Sequence, residues 1–166
     1  MFRTRLGYRL VVAAVLSLAA LMGAPAAAVA QETEFRATIT GNAHLTPTDN
    51  PAVWRNVETG KGVVQQIGQF NWADVEYVDF GAIPGGVVVC ANFTMTFDDG
   101  NQLFGTLDTF GELDEHAATL FIQGCYKFTG GTGKFAGATG SGDIDAVATL
   151  GGPLPFAGRM IGTINY

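Results

Sequence analysis

The residue types that most often carry chemistry are scarce in this 166-residue chain, which has only two cysteines and two histidines. Ser17 falls in the N-terminal apolar run, so Ser141 is the one serine beyond it, and no histidine lies near it in sequence. A serine nucleophile therefore has no evident base. His44 and His116 stand far apart, and neither pairs with a Cys, Asp or His at metal-ligand spacing, so no zinc site is expected. Glu112, Asp114 and Glu115, with Asp108, could offer oxygens to calcium. They lack the ordered Asp-x-Asp-x-Asp-Gly loop and read as a solvated hairpin tip. No metal and no cofactor is expected.

Cations and long apolar runs are also in short supply. The longest apolar run, Leu10 to Met22, falls short of the roughly 18–20 residues a spanning helix needs, so a stable membrane anchor is not expected. It follows Arg3, Arg5 and Arg9 and precedes small residues ending Ala28-Val29-Ala30. This is the order of a secretory signal, a cleavable signal helix over residues 1–30 with cleavage near Ala30. The expectation is a secreted protein, extracellular or periplasmic, with one domain over residues 31–166. Without the three leader arginines, six Lys and Arg face 15 Asp and Glu, a formal charge of −9. That excess repels phosphate backbones and excludes nucleic acid as a natural partner.

Cys90 and Cys125 are the two thiols. An even count in an exported chain suggests a disulfide. In a simple meander, however, a third strand would separate them by about 10 Å, where a bridge needs Cα atoms within about 7 Å. Both readings, bonded and free, stay open at this point.

What the sequence has in quantity is alternation. Beyond Glu34 no window keeps helical periodicity, while several keep period two. Val87, Val89, Ala91, Phe93, Met95 and Phe97 share one face of a strand, and Asp98-Asp99-Gly100-Asn101 supplies turn chemistry into a second strand, Gln102 to Phe110. Ala117 to Phe128, Asp143 to Leu150 and Phe156 to Tyr166 alternate similarly. Phe35 to Thr40, Val63 to Trp72 and Val75 to Phe80 complete about eight strands. Gly41 to Gly60 reads as one long irregular stretch. Eight strands with short loops and no covering helix predict an all-β fold, an eight-stranded antiparallel β-barrel whose closure removes exposed edges, with a sandwich as the alternative.

Between the strands at 117–128 and 143–150 lies Thr129-Gly130-Gly131-Thr132-Gly133-Lys134-Phe135-Ala136-Gly137-Ala138-Thr139-Gly140. Gly130, Gly131, Gly133, Gly137 and Gly140 permit backbone conformations closed to other residues, and Phe135 can plug a barrel end from one short helical turn. A phosphate cradle is excluded, because Phe135 rather than Ser or Thr follows Gly133-Lys134 and a strand resumes within a few residues.

This segment, entered from a strand ending Tyr126-Lys127-Phe128, resembles the signature of the allene oxide cyclase and dirigent barrel superfamily, above all its small secreted bacterial members. The resemblance implies an eight-stranded antiparallel barrel, a cavity for an apolar or phenolic ligand, and a possible homo-oligomer. Asp49-Asn50-Pro51 is the nearest match to the acidic turn of dirigent proteins, with Asn50 where a second acid would stand. A cyclase needs a carboxylate pointing inward beside an apolar channel, for which Asp49 and Glu76 are the candidate catalytic acids. Trp54, Trp72, Tyr77, Tyr126 and Tyr166, with polar ends on apolar bodies, are the candidate cavity residues. Two readings follow, beside a blander third, a filled barrel that works through its outer surface or as an oligomer. One is a non-enzymatic barrel binding a small apolar molecule or serving as an interaction module. The other is an isomerase or cyclase that steers a reactive lipid or phenolic intermediate.

Overall fold

The computed structural model describes residues 32–151 and 153–166; the expected signal helix and its cleavage point lie outside them. Eight strands follow one another: β1 (Thr33–Pro47), β2 (Val53–Val64), β3 (Gly68–Asp79), β4 (Gly86–Phe97), β5 (Gln102–Asp114), β6 (Thr119–Gly131), β7 (Gly140–Thr149) and β8 (Leu154–Ile164). Each pairs antiparallel with the next, and β8 pairs with β1 from Thr33↔Ile164 to Ala43↔Leu154, closing an up-and-down barrel with no free edge. The alternation predicted for β4 holds throughout, with Val87, Val89, Ala91, Phe93, Met95 and Phe97 all buried.

The expectation for residues 41–60 is corrected. β1 continues to Pro47 and β2 begins at Val53, so only residues 48–52 connect them. The β2 positions in phase with the interior are Trp54, Asn56, Glu58, Gly60, Gly62 and Val64, and none between Trp54 and Val64 is an apolar side chain, so the strand carries almost no hydrophobic alternation. The chain also reverses inside the expected strand 63–72. The Ile67 N–H donates to the Val64 carbonyl at 3.1 Å, and Gly68 takes φ 126°.

The interior has two unlike halves. One end is packed solid by Phe35, Met95, Leu103, Phe135, Met160 and Ile164, all 0 % exposed, together with Phe70, Phe93, Tyr126 and Phe128. The Phe35 and Phe128 rings meet edge-on at 4.9 Å, and Trp72 stacks on Phe93 at 4.8 Å. Each such side chain contributes about 1.5–3 kcal/mol by leaving water. Gly105, where the β5–β6 register shifts, makes room for this layer, because a Cβ there would run into the Phe93 ring.

The glycine segment seals that end. A single 3-10 turn, Gly133–Phe135, places Phe135 against Phe97 at 4.9 Å and Tyr166 at 5.0 Å. Gly133 has φ 55°, the left-handed region that glycine enters without strain, and a Cβ there would meet the Asn101 amide. Lys134 lies over the Phe97 and Phe135 rings and pairs with Asp99 at 2.7 Å, so its charge is engaged in holding the turn. Both terminal strands have their outer ends here, since Thr33 pairs with Ile164 and Thr139 bridges Asn165.

Candidate functional site

Toward the other end the barrel is hollow. A cavity of about 230 Å³ opens at the mouth formed by the β1–β2, β3–β4, β5–β6 and β7–β8 connections, with walls that include Leu45, Val78, Val87, Val89, Leu120, Ile122 and Leu154. A smaller pocket of about 30 Å³ lies deeper, against Trp72, Leu107, Thr109, Ile144 and Phe156. Glu58 and Glu76 line both and form the floor between them.

Strand alternation puts these acids there. Every even-numbered residue from Phe70 to Val78 on β3 is buried, so Asp74 and Glu76 point inward in phase with Phe70 and Trp72. On β2, Asn56 and Glu58 do the same. The register sets Asn56 opposite Glu76 and Glu58 opposite Asp74, making a two-by-two block of polar side chains on an otherwise apolar wall. They are 4 %, 9 %, 3 % and 6 % exposed for Asn56, Glu58, Asp74 and Glu76. One carboxylate oxygen from each acid lies within 4.8 Å of the other two. The Asn56 Nδ2 donates to Glu76 Oε1 at 2.6 Å and to Glu58 Oε1 at 3.1 Å.

Three acids so close and so dry cannot all ionise. Burial, then the neighbouring Asp74 and Glu76, pushes Glu58 up to about 10. Burial and then Glu76 raise Asp74 to about 8, against a smaller opposing pull from the Trp72 indole and Glu58. Burial also raises Glu76, partly offset by the Asn56 amide. No Lys, Arg or His among the described residues lines either cavity to neutralise them. The block also leaves polar atoms without partners: Asn56 Oδ1, both Asp74 oxygens, Trp72 Nε1 and Thr109 Oγ1. The indole N–H and the Asp74 carboxyl are near enough to influence one another but do not reach hydrogen-bond geometry. At neutral pH the block therefore holds protons on Glu58 and shares them with Asp74, and it offers acid O–H groups as well as acceptor oxygens to whatever enters from the mouth.

Of the residues expected from sequence, Glu76 and Trp72 stand at this floor. Asp49 does not; it is exposed in the β1–β2 connection, outside the cavity. Trp54 is half-buried at the mouth, edge-on to Phe80 at 6.5 Å. Tyr77 is 53 % exposed on the outer wall, because its odd number puts it out of phase with Glu76. Tyr126 is buried in the packed half, where its hydroxyl has no partner and burial holds it as the neutral phenol. Tyr166 lies against Phe135 at the sealed end. Gly130, Gly131, Gly133, Gly137 and Gly140 build the turn there and touch neither cavity.

Cys90 and Cys125 are free and exposed. Asp108 on β5 pairs with both, so the thiols are two strand spacings apart, beyond the reach of a disulfide. His44 belongs to β1 rather than to a loop, and its side chain is exposed. Asp114 accepts hydrogen bonds from the His116 and Ala117 N–H groups at 3.0 Å, as a turn residue does.

Sequence reasoning passed over Asn56, Glu58, Asp74 and Thr109. For the two β3 acids a signal existed, since Phe70, Trp72, Asp74, Glu76 and Val78 share one parity. No protein-family model matches the chain, and no curated protein matches it.

Proposed function

We propose that this barrel is an exported binding protein for a small, largely apolar molecule, held in the hollow half with its one polar end on the Glu58–Glu76 floor. The observation that carries this reading is the inequality of the two halves. A barrel of eight strands is just wide enough for side chains to fill; here they fill one end and leave about 230 Å³ open to the mouth at the other. Apolar walls with a few convergent polar groups are the usual make-up of a small-molecule site. An apolar cavity of about 150 Å³ accommodates benzene, so this one suits a single ring or a short branched chain with a substituent. The leader-like N-terminus supports export, and the glycine segment supports kinship with the allene oxide cyclase and dirigent barrels.

Native mass spectrometry of the protein purified from its own host's exported fraction tests the reading. A small-molecule adduct removed by organic extraction, and absent from a Val87→Phe variant that fills the cavity, is the expected result. Bare wild-type protein that also fails to bind apolar probes would refute it.

A second reading, an isomerase or cyclase, is favoured by one observation: Glu58 is buried beside an apolar channel, where burial raises its carboxyl and favours the protonated form a general acid needs. On that reading Glu58→Gln abolishes conversion of a bound ligand while leaving its binding intact. Unchanged conversion in the variant would remove Glu58 from any such role.

A further inference from the structure

The polar inventory of the floor says what its ligand must bring. Asn56 Oδ1 and both Asp74 oxygens are acceptors without partners, Thr109 Oγ1 is a hydroxyl that can accept or donate, and Trp72 Nε1 is a donor. Asn56 and Thr109 are themselves 4 % and 7 % exposed, and each lines a cavity that Glu58 and Glu76 share. Unpartnered acceptors outnumber donors among these atoms, so a ligand that donates hydrogens fits the floor. It also enters a place where acidic side chains meet no cation among the described residues, so positive charge is favoured over neutral.

We propose that the ligand is a small apolar amine, bound with its ammonium group on Glu58 and Glu76 and its hydrocarbon body along the Val78, Val87 and Leu120 wall. This rests on the binding reading above and names its ligand class. Three carboxyl oxygens within 4.8 Å of one another suit the tetrahedral spread of an ammonium's N–H groups, with Asp74 standing behind the two that line the cavity. A hard divalent cation could use the same oxygens. It would have to keep waters to complete its shell against a wall of Leu, Val and Ile, and that wall gives them no partners. An amine puts its apolar part there instead.

Binding a cation displaces protons from the block. Glu58 and Glu76 are the titratable groups that face the ligand's head, with Asp74 behind them; among the described residues no other titratable side chain lines either cavity. Amine affinity should therefore rise from pH 5 to pH 8, with protons released to the buffer.

The test is isothermal titration of the mature protein with 2-phenylethylamine, its near-isostere 2-phenylethanol, 3-phenylpropanoate and calcium chloride. The expected result is amine affinity at least about tenfold above that of the alcohol at pH 8, no binding of the carboxylate, and proton release that depends on buffer ionisation heat. Glu76→Gln should reduce amine affinity by about tenfold or more and leave the alcohol within about twofold. Equal binding of amine and alcohol, or tighter binding of the carboxylate, overturns the amine inference and leaves the apolar cavity standing. Calcium binding that Glu76→Gln abolishes, with no amine preference, overturns it in favour of a metal site. Binding of none of the four refutes the amine inference, and bare protein from the host's exported fraction would then remove the binding reading too.

Discussion

Asn56 and Glu76 face each other across β2 and β3, and the asparagine Nδ2 donates to the glutamate Oε1 at 2.6 Å, deep in the barrel wall. Asn56 Nδ2 spends its donors on carboxyls, giving one to Glu76 and one to Glu58. Removing it should destabilise the barrel most where Glu76 carries charge. Asn56→Ala is expected to cost about 1–3 kcal/mol at pH 8 and clearly less at pH 5. Urea unfolding at the two pH values measures the difference, and an equal loss at both would show that the amide does not serve the carboxylate.

The three buried acids should make stability fall as pH rises. Each has a folded-state pKa above its unfolded value, so the folded chain holds more protons between the two. Stability from this source is complete below about pH 4 and drains away through about 8 for Asp74 and about 10 for Glu58. The slope is up to about 1.4 kcal/mol per pH unit for each group that stays protonated only when folded. A thermal melt series from pH 5 to 9 should show Tm decreasing, and the triple variant Glu58→Gln, Asp74→Asn, Glu76→Gln should flatten it. A Tm that climbs over this range in the wild type would contradict the burial of the block.

The two halves of the interior should answer differently to substitution. Phe93→Ala opens a hole in a packed layer and is expected to cost about 3–5 kcal/mol. Ala148→Leu adds volume at the lining of an existing cavity and should leave stability within about 1 kcal/mol while abolishing binding of apolar probes. Chemical denaturation together with dye displacement separates the effects. A severe stability loss in Ala148→Leu would mean that the hollow half is already full.

At the sealed end, Gly133→Val forces a β-branched residue into a left-handed conformation against Asn101, with an expected cost of about 1–3 kcal/mol. Phe135→Ala removes the plug itself and should cost more, about 3–5 kcal/mol. Thermal unfolding of both variants, compared with wild type, checks the order. If Gly133→Val melted with wild type, the turn would not depend on its glycine.

Cys90 and Cys125 should both react with Ellman's reagent in protein purified without reductant, giving two thiols per chain. An intact mass two daltons low with no thiol signal would require β4 and β6 to meet, against the pairing of both with β5.

The barrel was legible from β4 onward because inward apolar residues recur there at period two, broken by Thr109 and by glycines. It was illegible across β2 for the reason the site exists: Asn56 and Glu58 occupy positions that period-two reading expects to be apolar, with Gly60 and Gly62 beyond them. Glu76 stood out as an acid beside a channel, but its partners did not, since Asp74 falls where one strand was expected to end and another to begin. Trp72 and Tyr77 show the converse limit. Both are aromatic with polar tips, and only the parity of their numbers sends one to the floor of the cavity and the other to the outer wall.

The pairing of Thr33 with Ile164 beside the Phe135 plug fixes a direction for the whole molecule. Any tether joined at either terminal strand leaves from the blind end, so a barrel fixed to a bead, a fused partner or a cell surface through those strands would hold its mouth outward. Capture assays and fusions can therefore be built at both ends without blocking the entrance.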